Sequence, residues 1–167
     1  LNIEGTISGS KATGVVAGNK NVGGLVGRND SGAITGSHAI VDVFGEDNSE
    51  KVGGLLGDNN GGTVSDSYAM GGVSGGSNSR EVGGLVGITA GGTIENCYAT
   101  GAVTGDRGIG GLAGENYENE IKNSYAAGTV TGEEYVGGLV GRNIYAGGPP
   151  AIVRNSYATG TVTGENY

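Results

Sequence analysis

Val22-Gly23-Gly24-Leu25-Val26-Gly27 returns, with only small apolar exchanges, at residues 52–57, 82–87, 109–114 and 136–141. Five copies of one hexapeptide at offsets of 30, 30, 27 and 27 residues make the chain an array of a single small unit. Such a unit buries its apolar side against its own copies, so the core runs along a stack. The composition fits a narrow interior: 39 glycines, one Phe and no Trp in 167 residues leave little bulk for a thick one. The glycines follow no Gly-X-Y period and there are only two prolines, which excludes collagen and argues against a proline-rich linker.

A second motif lies between the hexapeptides, clearest as Ile94-Glu95-Asn96-Cys97-Tyr98-Ala99-Thr100-Gly101-Ala102-Val103-Thr104-Gly105. Its six copies begin at Ile7, Ile34, Val64, Ile94, Ile121 and Val153, giving rungs of 27, 30, 30, 27 and 32 residues. The length differences are confined to the link after the twelfth position and the link after the hexapeptide, as expected of loops on a fixed frame. The fourth position is Ser except at Cys97, the sixth is always Ala and the tenth always Val, while the odd positions vary. That alternation is the period of a half-buried strand, with room for a bend midway. The third position holds Gly9, Gly36, Asp66, Asn96, Asn123 and Asn155, residue types that tolerate a left-handed corner, and a stacked Asn run there would hydrogen-bond from rung to rung. The expected fold is all-β: a parallel β-solenoid (β-helix) of about five to six rungs, 27–32 residues per rung, with residues 1–167 as one array.

The hexapeptide leaves two readings open. If Leu25, Leu55, Leu85, Leu112 and Leu139 point inward by strand parity, then Val22, Val26, Val52, Leu56, Val82, Val86, Val136 and Val140 form an outward apolar strip, an interface for a lateral partner. If Gly-Gly makes a corner and resets the parity, both sets are buried. Residues 1–6 align with the link 28–33 and residues 165–167 with 133–135, so neither end carries a recognisable cap, and the expected partners are other copies or flanking repeats stacked end to end.

The recurring Gly-Gly-Leu-Val-Gly, followed by Ser-Tyr-Ala-Thr-Gly-x-Val-x-Gly, resembles the GLUG repeat of large bacterial surface and secreted proteins, including adhesin-like and peptidase-associated ones. The resemblance covers essentially the whole chain. It departs at Ile109 and Ala113 in the fourth hexapeptide and at His38-Ala39-Ile40-Val41 in the second rung. It implies an extracellular or cell-surface location and a stalk or adhesive role, in a single chain or in a self-stacking filament.

Chemistry-bearing residues are few. Tyr68, Tyr98, Tyr125 and Tyr157 occupy one outward column, with Thr129, Thr131, Thr161 and Thr163 nearby; flat aromatic faces beside hydroxyls suit glycans, while the same column also stabilises a sheet. The Thr-Val-Thr rank is too irregular for ice binding. Glu46, Asp47 and Glu50, or Glu115, Glu118 and Glu120, would meet Ca²⁺ only without the spacing of a calcium loop, so solvated turns are expected and no metal or cofactor is assigned. Asn29-Asp30-Ser31 matches a glycosylation sequon. One His, one Cys and no nucleophile elbow or phosphate loop argue against an enzyme; the nearest arrangement is Asp58, Asp66 and Glu95 on adjacent rungs. The net charge of −8 repels nucleic acid, no apolar run nears the ~20 residues of a membrane span, and the chain does not open with the basic and apolar stretches of a secretion signal.

Overall fold

The computed structural model describes residues 1–166, apart from the side chain of Asn166; Tyr167, aligned by the repeat with Tyr135, lies outside the described residues. The regular elements among the described residues are strands, and they pair in parallel, rung on rung. Each turn of the chain passes through three sheets, which makes the molecule a β-solenoid.

The first sheet holds Asn2–Ile3, Val26–Asp30, Leu56–Asn60, Val86–Ala90, Ala113–Tyr117 and Val140–Ile144. The second holds Thr6–Ser8, Ala33–Thr35, Thr63–Ser65, Thr93–Glu95, Glu120–Lys122 and Ile152–Arg154. The third has twelve strands and carries the rest of each turn, from Lys11–Gly23 to Val162–Asn166. The link after the hexapeptide, which the sequence presents as a loop, is therefore largely strand. Register follows the repeat: Ile7, Ile34, Val64, Ile94, Ile121 and Val153 form one unbroken column.

Three left-handed corners close each turn. One is the expected third position, where Gly9, Gly36, Asp66, Asn96, Asn123 and Asn155 all have φ between 49° and 56°. The other two hold Asn21, Lys51, Glu81, Gly108 and Tyr135 ahead of the hexapeptide, and Glu4, Ser31, Gly61, Gly91 and Glu118 after the first sheet. Glu, Lys and Tyr pay about 1–2 kcal/mol for this backbone, and the stacked hydrogen bonds of the neighbouring rungs hold them there.

The Gly-Gly pair is a place of contact between backbones. A Cβ on Gly24, Gly54, Gly84 or Gly111 would fall on the carbonyl oxygen of the equivalent glycine one rung on. Beside it the stack stays in register, with Leu25 N donating to Leu55 O, Leu55 to Leu85, Leu85 to Leu112 and Leu112 to Leu139, each at 2.9 Å. The pair does reset the parity. Val22, Val26, Val52, Leu56, Val82 and Val86 are at most 5% exposed, alongside fully buried Leu55, Leu85 and Leu112. Val136 and Val140 pack half-buried against the same core. The outward apolar strip and its lateral interface are thus ruled out, because both sets of side chains fill the interior.

The second rung departs where its sequence does. His38–Gly53 runs as one strand, as does Lys11–Gly23 of the rung before, while the next rung breaks into Tyr68–Ala69, Val73–Ser74 and Arg80–Gly83. Val41 stands where later rungs have Gly71, Gly101, Gly128 and Gly160, whose bend brings each against the carbonyl of the rung before.

Gly84→Ala and Gly91→Ala separate the two uses of glycine. Gly84→Ala drives a methyl into backbone and is expected to cost about 3 kcal/mol or more by denaturant unfolding. Gly91 (φ +63°) has open space at the Cβ position, so the same change costs only about 1 kcal/mol of left-handed strain.

Candidate functional site

The third sheet displays the aromatic column. Register sets Tyr68, Tyr98, Tyr125 and Tyr157 directly opposite one another, with His38 opposite Tyr68. Ring centroids lie 4.6, 4.7, 5.0 and 5.3 Å apart from His38 to Tyr157, with planes within 5–7°. The strand spacing of ~4.8 Å imposes this stacking, because identical side chains in a parallel in-register sheet sit one repeat apart. It also changes what the column offers. Both faces of Tyr68, Tyr98 and Tyr125 are covered by neighbours, so the flat platforms expected for sugar rings are not presented along it; ring edges and phenol groups are. Thr129, Thr131, Thr161 and Thr163 are exposed, beyond the bend at Gly128 and Gly160.

Burial and then the neighbouring Tyr68 and Tyr125 charges hold the Tyr98 phenol above its ordinary 10.0. The neutral form is the one the fold favours. Stability from this group is present below the unfolded value near 10 and falls as pH rises through the higher folded value.

The polar side chains that the sequence reading missed are inside. Asn29, Asn59, Thr89 and Asn116 are fully buried in the first sheet. Asn2 Nδ2 donates to Asn29 Oδ1 (2.7 Å), Asn29 to Asn59 (2.9 Å), Asn59 to Thr89 Oγ1 (3.1 Å) and Asn116 to Asn143 (2.7 Å). Each Asn Nδ2 also donates to a carbonyl at the following corner, as Asn29 does to Gly32 O and Asn59 to Gly62 O, both at 2.9 Å. Only Thr89 interrupts the ladder, and there the buried Asn116 Oδ1 has no hydrogen-bond partner. The signal was legible: Asn29, Asn59, Thr89, Asn116 and Asn143 each stand two after the last glycine of a hexapeptide. At the third corner, by contrast, the anticipated Asn run makes only isolated pairs, Asn96 to Asp66 at 3.1 Å and Asn155 to Asn123 at 3.4 Å.

The fourth-position serines form a second internal ladder. The N–H of Ser10 donates to Ser37 Oγ, Ser37 to Ser67, Cys97 to Ser124 and Ser124 to Ser156, all at 3.1 Å. Cys97 fits this column as a buried thiol, pushed up to about 12 by burial, and is therefore neutral and unreactive.

Most of the remaining sequence candidates have protein partners. Asn29 is buried with its amide engaged, which closes the sequon to modification. Asp58 lies 3.0 Å from Lys51 and 3.7 Å from Arg28, Glu95 lies 3.0 Å from Lys122, and Asp66 accepts from Asn96; Asp58 and Glu95 sit in different sheets. Glu115 is a strand residue, not a loop residue, 6% exposed and ion-paired to Arg142 at 2.9 Å. Burial raises its carboxyl although Arg142 pulls it down, and burial followed by the charge of Glu115 raises Glu81. Glu118 accepts from the N–H groups of Ala146 and Gly148, and Glu120 pairs with Arg154. Among the described residues no group of three or more His, Cys, Asp or Glu is placed to hold a metal ion.

The model of the GLUG motif matches residues 18–43, 78–104, 105–131 and 132–163, more than half of the chain. The chain belongs to the GLUG-motif family. Each GLUG match spans parts of neighbouring motifs, so the family unit coincides with one turn of the solenoid. No curated protein and no solved structure matches the chain.

Two measurements probe these columns. Thr89→Asn supplies the missing donor to Asn116 Oδ1 and is expected to stabilise by about 1 kcal/mol in urea unfolding; a loss would mean the site is too tight for the amide. Titration of tyrosinate absorbance in the native protein is expected to show a step above pH 10 that Tyr98→Phe removes.

Proposed function

We propose that this chain is a non-catalytic structural and adhesive repeat region, the stalk or binding face of an extracellular or cell-surface protein. The observation that carries this reading is that both the interior and the outer columns repeat from rung to rung, so the chemistry is spread along the stack and not gathered at one reacting centre. Internal polar ladders resist local opening, a property that suits a spacer. The outer tyrosine edges and threonine hydroxyls present the same weak contacts several times over, and contacts on one rigid body add through effective concentration. Hydroxyl-rich glycans fit this surface through hydrogen bonds to its edges, and the net charge of −8 disfavours polyanionic partners.

The test is adhesion of the purified chain to a glycan array. Replacing Thr129, Thr131, Thr161 and Thr163 together by Ala is expected to lower binding by about a thousandfold if each of the four lost hydrogen bonds contributes its usual ~1 kcal/mol, with circular dichroism unchanged. Undiminished binding by the folded variant would remove the threonine face from the account, and turnover of a bound glycan would overturn the non-catalytic reading.

A further inference from the structure

The chain cannot make an internal disulfide, since Cys97 is its one cysteine and is buried. The tyrosine column offers another covalent chemistry. Tyr68, Tyr98, Tyr125 and Tyr157 form three successive pairs with centroids 4.7, 5.0 and 5.3 Å apart and planes within 5–6°. Because the strands are parallel and in register, each ring is stacked on the ring of the next rung with their planes nearly parallel. Tyr68, Tyr98 and Tyr125 are half-buried and Tyr157 is 57% exposed, so the ring edges remain open to solvent while the faces are held together.

We propose that this column is a site of intramolecular dityrosine formation, taking as co-reactant a peroxide-driven one-electron oxidant of the haem peroxidase class. Two neighbouring phenols each lose one electron to the oxidant and one proton to water. The two radicals join in a carbon–carbon bond between ortho carbons. Each ring then moves the hydrogen of its bonded carbon to its oxygen and becomes a phenol again. The net loss is two electrons and two protons, which reduce one hydrogen peroxide to two waters. Stacking holds the partners together before oxidation, so that only a tilt of the two rings separates them from bonding distance. The bond joins rungs, because Tyr68 and Tyr98 are 30 residues apart in sequence and Tyr98 and Tyr125 are 27 apart. Closing those loops restricts the unfolded chain as a disulfide would, and it does so without thiols.

The experiment treats the full chain at low concentration with a haem peroxidase and hydrogen peroxide. Dityrosine fluorescence, intact mass and a peptide map are then read. The expected product is a monomer lighter by two hydrogens per link, with peptides joined at Tyr68–Tyr98, Tyr98–Tyr125 or Tyr125–Tyr157, and with a higher melting temperature than untreated protein. Tyr98→Phe keeps the ring stack and is expected to abolish the first two joins while sparing the third. The map of the unsubstituted chain decides the matter whether or not that variant folds. Links found only between copies, through Tyr135 or Tyr145, would overturn the proposal. So would the absence of any link under conditions that couple free N-acetyltyrosine amide.

Discussion

Everything in this solenoid follows from one constraint: a residue and its repeat sit one strand spacing, ~4.8 Å, apart along the stack. At that distance a buried polar atom finds its partner in the neighbouring rung or goes without. The asparagine ladder of the first sheet and the serine ladder at the corner between the second and third sheets satisfy it by placing like on like, donor to acceptor, turn after turn. The same spacing pairs Leu with Leu along the hexapeptide, stacks Tyr on Tyr outside, and forbids any side chain where the Gly-Gly corners touch. Repetition of sequence and repetition of contact are here one fact.

Much of this was legible before any coordinates. The hexapeptide and the Ser-x-Ala spacing gave the rung length, the parallel register and the inward Ala, Val and Ser positions, because a period of two survives in any column read down six copies. The left-handed third position was readable because Gly, Asn and Asp have a conformational preference of their own. The other two corners were not, since Lys51, Glu81, Glu118 and Tyr135 carry no such preference and are held in that backbone by the stack. The parity of the hexapeptide was undecidable for a similar reason. Gly23 and Gly24 have no side chain to say which way the chain turns, and only the burial of both Val52 and Leu55 shows that it does.

The asparagine ladder escapes a reading of the sequence because its segment varies in length from rung to rung, as loops do. Asn29, Asn59, Asn116 and Asn143 nevertheless share one distance from the hexapeptide. Thr89, the exception, marks the place where the interior leaves an acceptor unmet, and in a structure with so little apolar bulk such an atom weighs more than it would in a thick core. The aromatic column shows the opposite limit. Its existence was plain from the sequence, but its chemical meaning was not, since a list of tyrosines does not say whether ring faces look outward or at one another. Stacking turns a row of would-be platforms into a row of edges.

The account rests on the claim that buried side-chain amides bind the rungs together. Hydrogen exchange of the side-chain amides of Asn29, Asn59 and Asn116, followed by NMR in the native protein, tests it most directly. The account predicts protection comparable to that of the backbone N–H groups of Leu55 and Leu85, released only by global unfolding. Exchange at the rate of exposed asparagine amides would contradict it and would leave the solenoid held by its backbone and apolar columns alone.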